Sequence, residues 1–422
     1  MLVRYSIHLP LLFSLLYFFP VSYSRIPVGR LISSIVLPSL LLLLLASYIL
    51  QNPSRVLKIS FFASIPLFFL FYQFCSTFFF SIATLDDIPR DLFLLLQILG
   101  CVSTVLLVRK GKTEINAFLD SPALQNLFLA ILGFALITFL FKPLSFLDIY
   151  SVRLDRFSSL ASSTNYIWIY LLPPLIVSLS RILSHSSTVI KDYAILSLVL
   201  VSLFYSVSRT SLIICLMITT MLVLTSSFRS IWLFTHSLRV PKPSRMSFFI
   251  LGTLLTVLFI LYHSVLFSSD LFSDTLNRFW SLFDGIQRGV GFLEIQSYNK
   301  RHLNWSEILY RFPPSFLGYG PLPQLELAFD NQYLLALVRT GYIGLFMLIT
   351  LLISLLILNV RNLLYQQSTI NWLLFSYSAV LPFAFWTSTP LNELKSQYLL
   401  YLIISMSFSL SSFKRKATVN LP

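Results

Sequence analysis

Apolar runs of near-spanning length recur along the whole chain and are separated by short polar stretches. A helix of about 20 apolar residues crosses a bilayer. The runs predict spans at 7–23, 31–50, 59–82, 91–108, 122–141, 165–183, 193–207, 209–227, 247–267, 333–358, 370–388 and 394–412. The seventh and eighth are one apolar run broken only at Ser208-Arg209. They read as two short helices meeting there, with one long helix carrying a charged midpoint as the alternative. The pattern predicts an all-α polytopic membrane protein of about 12 spans: helices 1–9 over residues 1–267, a long loop over 268–332, and helices 10–12 over 333–422.

Composition supports this class. Of the residues 56% are hydrophobic and only 11% charged, against roughly 25% charged in soluble domains. The net charge of +14 does not point to nucleic acid, because the basic residues stand singly between apolar runs, where they anchor helix ends on the cytoplasmic side. Cys75, Cys101 and Cys215 all lie in apolar stretches and form no CxxC pair, so neither a disulfide framework nor a metal site is indicated.

Loop charge sets the orientation. Arg55 and Lys58, Arg109, Lys110 and Lys112, Arg181 and Lys191, Arg229 to Arg245, Arg361, and Lys414 to Lys416 fall on one side, which is expected to be cytoplasmic. Asp86, Asp87, loop 142–164, Arg209, loop 268–332, Glu393 and Lys395 fall on the other; Arg25 and Arg30 break the rule. Both termini are then cytoplasmic. The segment from Arg4 to Ser24 has the elements of a cleavable leader, but it fits the charge alternation as a retained first helix.

The longest connection, 268–332, is on the outer side. Leu276, Phe279, Trp280, Phe283 and Ile286 stand at helical spacing there, which predicts a helix lying on the membrane surface. A second helix is expected from Asn304 to Phe312, stopped by Pro313-Pro314, with a turn at Gly318-Tyr319-Gly320-Pro321.

Three outer features carry candidate chemistry. Arg153 and Arg156 precede Ser158 and Asn165. Asp148 and Asp155 can neutralise these arginines in an exposed loop, and that is the plainer reading. Arg209 lies between apolar helices. At membrane depth its charge is costly unless it faces the bundle interior or a wet cavity, where its planar fork suits phosphate oxygens. The alternative is a helix end whose arginine snorkels to the headgroups. The third feature runs from Arg301 through Trp305 and Asp330-Asn331 to Arg339. Asp330 caps the next helix or takes a proton from a sugar hydroxyl. Asn331 is also able to cap, and Arg339 needs a partner or a cavity. Gly341 and Gly344 read as small residues for close helix packing. The five histidines are too dispersed for a metal cluster; His302, the one in the long loop, is the alternative base.

Arg301-x-x-x-Trp305, Gly318-x-Gly320, Asp330-Asn331-x-Tyr333-Leu334 and Gly341-x-x-Gly344-Leu345 together resemble the long-loop region of the O-antigen polymerase/ligase superfamily. Ser208-Arg209-Thr210-Ser211 and Arg153-x-x-Arg156-x-Ser158 resemble its two arginine segments. The likeness covers roughly residues 150–350. It implies a GT-C-type bundle in the bacterial inner membrane with its active site facing the periplasm. It further implies an inverting, metal-independent transfer from an undecaprenyl-diphosphate-linked oligosaccharide, with no cofactor. The acceptor is a second lipid-linked unit for a polymerase and lipid A-core for a ligase. Ligases carry a histidine just before the asparagine of the late helix; Asp330 in that place favours polymerase. The implied roles are catalysis for Asp330 and Arg209, and binding of diphosphate or substrate for Arg153, Arg156, Arg301, Asn331 and Arg339. The expected partners are the lipid-linked donor and acceptor, the bilayer and a chain-length regulator. A polysaccharide or solute transporter is the reading of another class; it predicts internal repeats, which the sequence does not show. A membrane protein of purely structural or assembly role is the third.

Overall fold

The computed structural model describes residues 8–18, 35–51, 61–81, 88–107, 117–140, 157, 164–183, 189–206, 208, 210–223, 296–320, 330–366, 368–392 and 396–411. The predicted ninth span and the predicted surface helix over Asp274–Ile286 lie outside them. The described residues are 91% helical and contain no strand. Three helices among them, Pro122–Leu140, Gln332–Tyr365 and Thr369–Thr387, are long and apolar enough to cross a membrane. Shorter apolar helices include Leu37–Ser47, Ser64–Phe78, Leu94–Leu107, Ile167–Leu183 and Thr210–Val223.

The chain forms two compact units, Ala117–Gly289 and Met1–Asn116 with Val290–Pro422. In the first, α5 (Pro122–Leu140) and α6 (Ile167–Leu183) both pack on α7 (Val189–Ser206). Residues 167–179 of α6 are all buried, as befits a helix apolar on every side. Arg181, read from sequence as a loop charge, sits buried in the last turn of α6 and donates to the Asp120 carbonyl. A cation there complements the helix dipole. The long apolar run does divide in two, α7 and α8 (Thr210–Val223). The break is built by Ser208, whose hydroxyl accepts from the Ser211 N–H at 3.3 Å and so caps α8.

In the second unit, α12 (Ser396–Ser411) is the central helix. It packs against α1 (His8–Phe18), α3 (Phe61–Ser81), α4 (Ile88–Leu107), α10 (Gln332–Tyr365) and α11 (Thr369–Thr387), while α2 (Leu37–Gln51) lies on α4. Residues 396–408 are all buried. Lipid tails are as apolar as leucine, so helices in a membrane are held by close packing and interhelical hydrogen bonds. Such bonds are present. Asn359 Nδ2 donates to Leu374 O at 3.1 Å and Ser407 Oγ at 3.0 Å, tying α10 to α11 and α12. Asn371 Nδ2 donates back to Asn362 O at 3.2 Å. On the far side of α10, Tyr342, Phe346, Ile349, Ile353, Ile357, Val360 and Leu364 are exposed at helical spacing, an apolar stripe suited to acyl chains.

Candidate functional site

The predicted loop helix is present and starts earlier than its apolar pattern suggested: α9 runs Gln296–Arg311, directly before Pro313-Pro314. Its inner face is set by the spacing of Arg301, Trp305, Ile308 and Phe312. Ile308 packs into a small core with Leu335 and Val338, flanked by Phe312, Tyr319 and Leu334. One turn earlier, Trp305 meets Trp386 edge-to-face, ring centroids 6.0 Å apart and planes at 85°. A further turn along, Arg301 Nε forms an ion pair with Asp330 Oδ2 at 3.1 Å. The two side chains keep 29% and 49% of their surface exposed, so the pair contributes at most about 1 kcal/mol to stability. Its weight lies in holding a carboxylate and a guanidinium together on the rim of the unit.

Asp330 does not cap the helix that follows. Asn331 does: it is extended (φ −142°, ψ 116°), and its side chain accepts from the Leu334 N–H at 3.0 Å. An amide at that position satisfies one of the four N–H groups left without an intrahelical partner. Asp330 is thereby left outside the helix and available to Arg301. The start of α10 is fixed further by Gln332 Oε1, which accepts from Leu391 N at 3.2 Å, and by Tyr333 Oη, which donates to Pro382 O at 2.9 Å.

The predicted tenth span is a broken helix. Gly341, at φ 68° and ψ −168°, interrupts α10 two residues after Arg339. Segment 315–320 passes through the break. Tyr319 N donates to Val338 O (2.8 Å) and Gly320 N to Arg339 O (3.0 Å), while Ser315 O and Phe316 O accept from Tyr342 N (3.0 Å) and Ile343 N (3.4 Å). The loop thus satisfies the last carbonyls of the first half-helix and the first N–H groups of the second, the groups any helix end orphans. Two hydroxyls complete the arrangement: Tyr72 Oη donates to Thr340 O at 3.0 Å and Ser76 Oγ to Arg339 O at 3.3 Å. Gly318 (φ 79°) crosses Gly341 backbone to backbone, and a Cβ on Gly318 would lie 2.6 Å from the Gly341 nitrogen. Gly341 is therefore required by its own conformation and not by packing between helices. Gly344 packs on Thr340 of its own helix across the kink. Tyr72→Phe removes one donor from the break. It is expected to cost about 1 kcal/mol, read as a lower thermal unfolding midpoint of the purified protein; an unchanged midpoint would show that the Thr340 carbonyl needs no such partner.

Of the residues singled out by sequence, Arg301, Asp330, Asn331 and Arg339 come together in one unit, around the start and the break of α10. Arg339 stands in the last turn of the first half-helix, where a cation complements the dipole. Arg153, Arg156 and Arg209 lie outside the described residues. Asn165 lies in the short turn Thr164–Tyr166 that leads into α6. No protein-family model matches this chain, and no curated protein matches it.

Trp386, Tyr72 and Ser76 belong to the same structure and carry no signal of it in the sequence. Trp386 ends a span, where a tryptophan is unremarkable, and the hydroxyls of Tyr72 and Ser76 sit inside an apolar run. Among the described residues no group of three or more His, Cys, Asp or Glu side chains is placed to hold a metal ion. The chemistry available at the rim is that of one carboxylate, one guanidinium group and an aromatic corner; Arg339 stands about two turns further along α10, at the break.

Proposed function

We propose that this chain is an inverting, membrane-embedded glycosyltransferase that joins undecaprenyl-diphosphate-linked repeat units of a surface polysaccharide on the periplasmic side of the bacterial inner membrane. The observation that carries this reading is the Arg301–Asp330 pair, held by α9 directly over the start of a broken apolar helix. In the proposed reaction an acceptor hydroxyl oxygen attacks the anomeric carbon of the donor. The bond from that carbon to the diphosphate oxygen breaks, and its electron pair leaves with undecaprenyl diphosphate. The hydroxyl proton passes to the Asp330 carboxylate. Arg301 and Arg339 offer guanidinium forks to the charge growing on the leaving diphosphate; for Arg209, Arg153 and Arg156 that role rests on the sequence resemblance alone. Asn331 holds the end of the helix that carries this group, and its backbone adjoins the proposed base. In-line attack opposite the leaving group inverts the anomeric centre. The bilayer holds both lipid-linked substrates, and a chain-length regulator would act on the same growing polymer.

The test is the banding of surface polysaccharide on a gel from a strain lacking this protein. Loss of the long ladder, with one repeat unit still attached to lipid A-core, is the expected result. Loss of all attached repeats with polymer left on the lipid carrier would replace polymerase by ligase. An unchanged pattern would remove both. A second reading, transport, draws on the break at Gly341, since carriers build their sites from discontinuous helices. It predicts that repeat units fail to reach the outer face in the deletion strain.

A further inference from the structure

We propose that Trp305 and Trp386 form an acceptor-sugar platform beside the Arg301–Asp330 pair, on which a pyranose ring lies against the open face of Trp386. Four observations carry it. Trp386 is 53% exposed although it stands against Trp305, so an aromatic surface remains open to a ligand. Arg301 and Trp305 are four residues apart on the same face of α9, about 6 Å along the axis, a spacing on the scale of one sugar ring. Asp330 keeps half of its side chain exposed and gives one oxygen to Arg301, which leaves the other to accept from a sugar hydroxyl. The indole N–H of Trp305 is shielded from solvent and meets no acceptor among the described residues, a costly state that a ligand oxygen relieves.

A sugar has two kinds of surface. Its axial C–H groups form a weakly positive apolar patch, and its hydroxyls ring the edge. An aromatic face with negative π-density suits the patch, and a charged donor–acceptor pair at one edge suits the hydroxyls. The rival explanation is an interfacial anchor, since Phe383 is exposed one turn before Trp386. An anchoring indole directs its N–H toward headgroups and water; the shielded N–H of Trp305 is not so placed, and for Trp386 the amount of variant protein in the membrane separates anchor from platform. The platform rests on the polymerase reading for its role: a ring held there brings a hydroxyl toward Asp330, and so belongs to the acceptor.

The full chain, reconstituted in lipid nanodiscs, is titrated with oligosaccharides released by partial acid hydrolysis from the host's own surface polysaccharide. Binding is followed by tryptophan fluorescence and by calorimetry. The wild type is expected to bind saturably, Trp386→Ala to bind about tenfold more weakly, and Trp386→Phe to recover most of the loss because the aromatic face returns. Equal affinity of Trp386→Ala and the wild type, or no binding by the wild type, overturns the platform. An anchor would instead show as a lower amount of Trp386→Ala in the membrane with affinity unchanged, which also overturns it. The gel from the deletion strain is read in parallel. A lost ladder with sugar affinity indifferent to Trp386 removes the platform and keeps the polymerase. An intact ladder with affinity dependent on Trp386 keeps the platform and removes the polymerase.

Discussion

Gly341→Ala is expected to abolish the folded protein. Gly341 occupies φ 68° and ψ −168°, a region used essentially by glycine alone and costing other residues about 1–3 kcal/mol. Strain is the smaller part. An alanine Cβ would overlap the Phe316 carbonyl and stand 2.6 Å from the Gly318 nitrogen. Both are backbone atoms, so no side chain can rotate away. Relief requires moving segment 315–320 out of the break, which gives up the bonds from Tyr319 N, Gly320 N, Tyr342 N and Ile343 N. Each is worth about 1 kcal/mol when water replaces it, and more where lipid offers no substitute partner. Together these terms reach about 5 kcal/mol or beyond, the scale of a whole protein's stability. The measurement is the amount of monodisperse protein recovered from membranes and its unfolding midpoint. Gly133→Ala is the control: a Cβ there meets nothing within 4 Å, and alanine is the better helix former by about 1 kcal/mol. A Gly341→Ala protein that unfolds with the wild-type midpoint would show that the crossing of 318 and 341 does not hold the fold.

The spans of the last third were legible because each is an apolar run with polar residues at both ends. The runs expected at 370–388 and 394–412 are observed as helices, Thr369–Thr387 and Ser396–Ser411, the first of them long and apolar enough to cross a membrane. The break in α10 was not legible. Arg339-Thr340-Gly341-Tyr342-Ile343-Gly344 reads as continuous helix with small residues on one face, and the demand for positive φ comes from a loop some twenty residues earlier. Sequence spacing reports which face a residue takes, not which distant backbone will cross it. The same limit explains α9. Its first two turns, Gln296 to Leu303, are polar and show no apolar period, so only the part that packs on Leu335 and Val338 announced itself. Asp330 and Asn331 are both good caps; Asn331 takes that place and Asp330 pairs with Arg301, whose position the sequence does not give. Trp305 was visible as part of a motif. Its partner Trp386 lies 81 residues on, at a span end where tryptophan is common, and only the fold joins them.

That division of labour between Asp330 and Asn331 gives the sharpest test of the proposed chemistry. Asp330→Asn is expected to lower the rate of polymer assembly by about 10²–10⁴, the contribution of a positioned base, while leaving the protein folded. The two effects separate because Asp330 lies outside the helix and makes one half-exposed ion pair. An asparagine keeps an oxygen acceptor facing Arg301, and loss of the charge costs at most about 1 kcal/mol. Asn331→Ala is the complementary change. It removes the cap to Leu334 N and is expected to cost about 1 kcal/mol of stability, with assembly reduced only as far as the helix start frays. Each variant is placed in the deletion strain, protein amount in the membrane is measured, and the ladder is followed over time. A polar group kept for structure gives parallel losses in amount and rate. A base gives full amount and almost no ladder. Asp330→Asn assembling polymer within about threefold of the wild-type rate would remove Asp330 from the reaction, since a proton acceptor that is dispensable to that degree contributes less than 1 kcal/mol to the barrier. In that event the Arg301–Asp330 pair remains what its geometry alone requires, a latch between α9 and the start of α10.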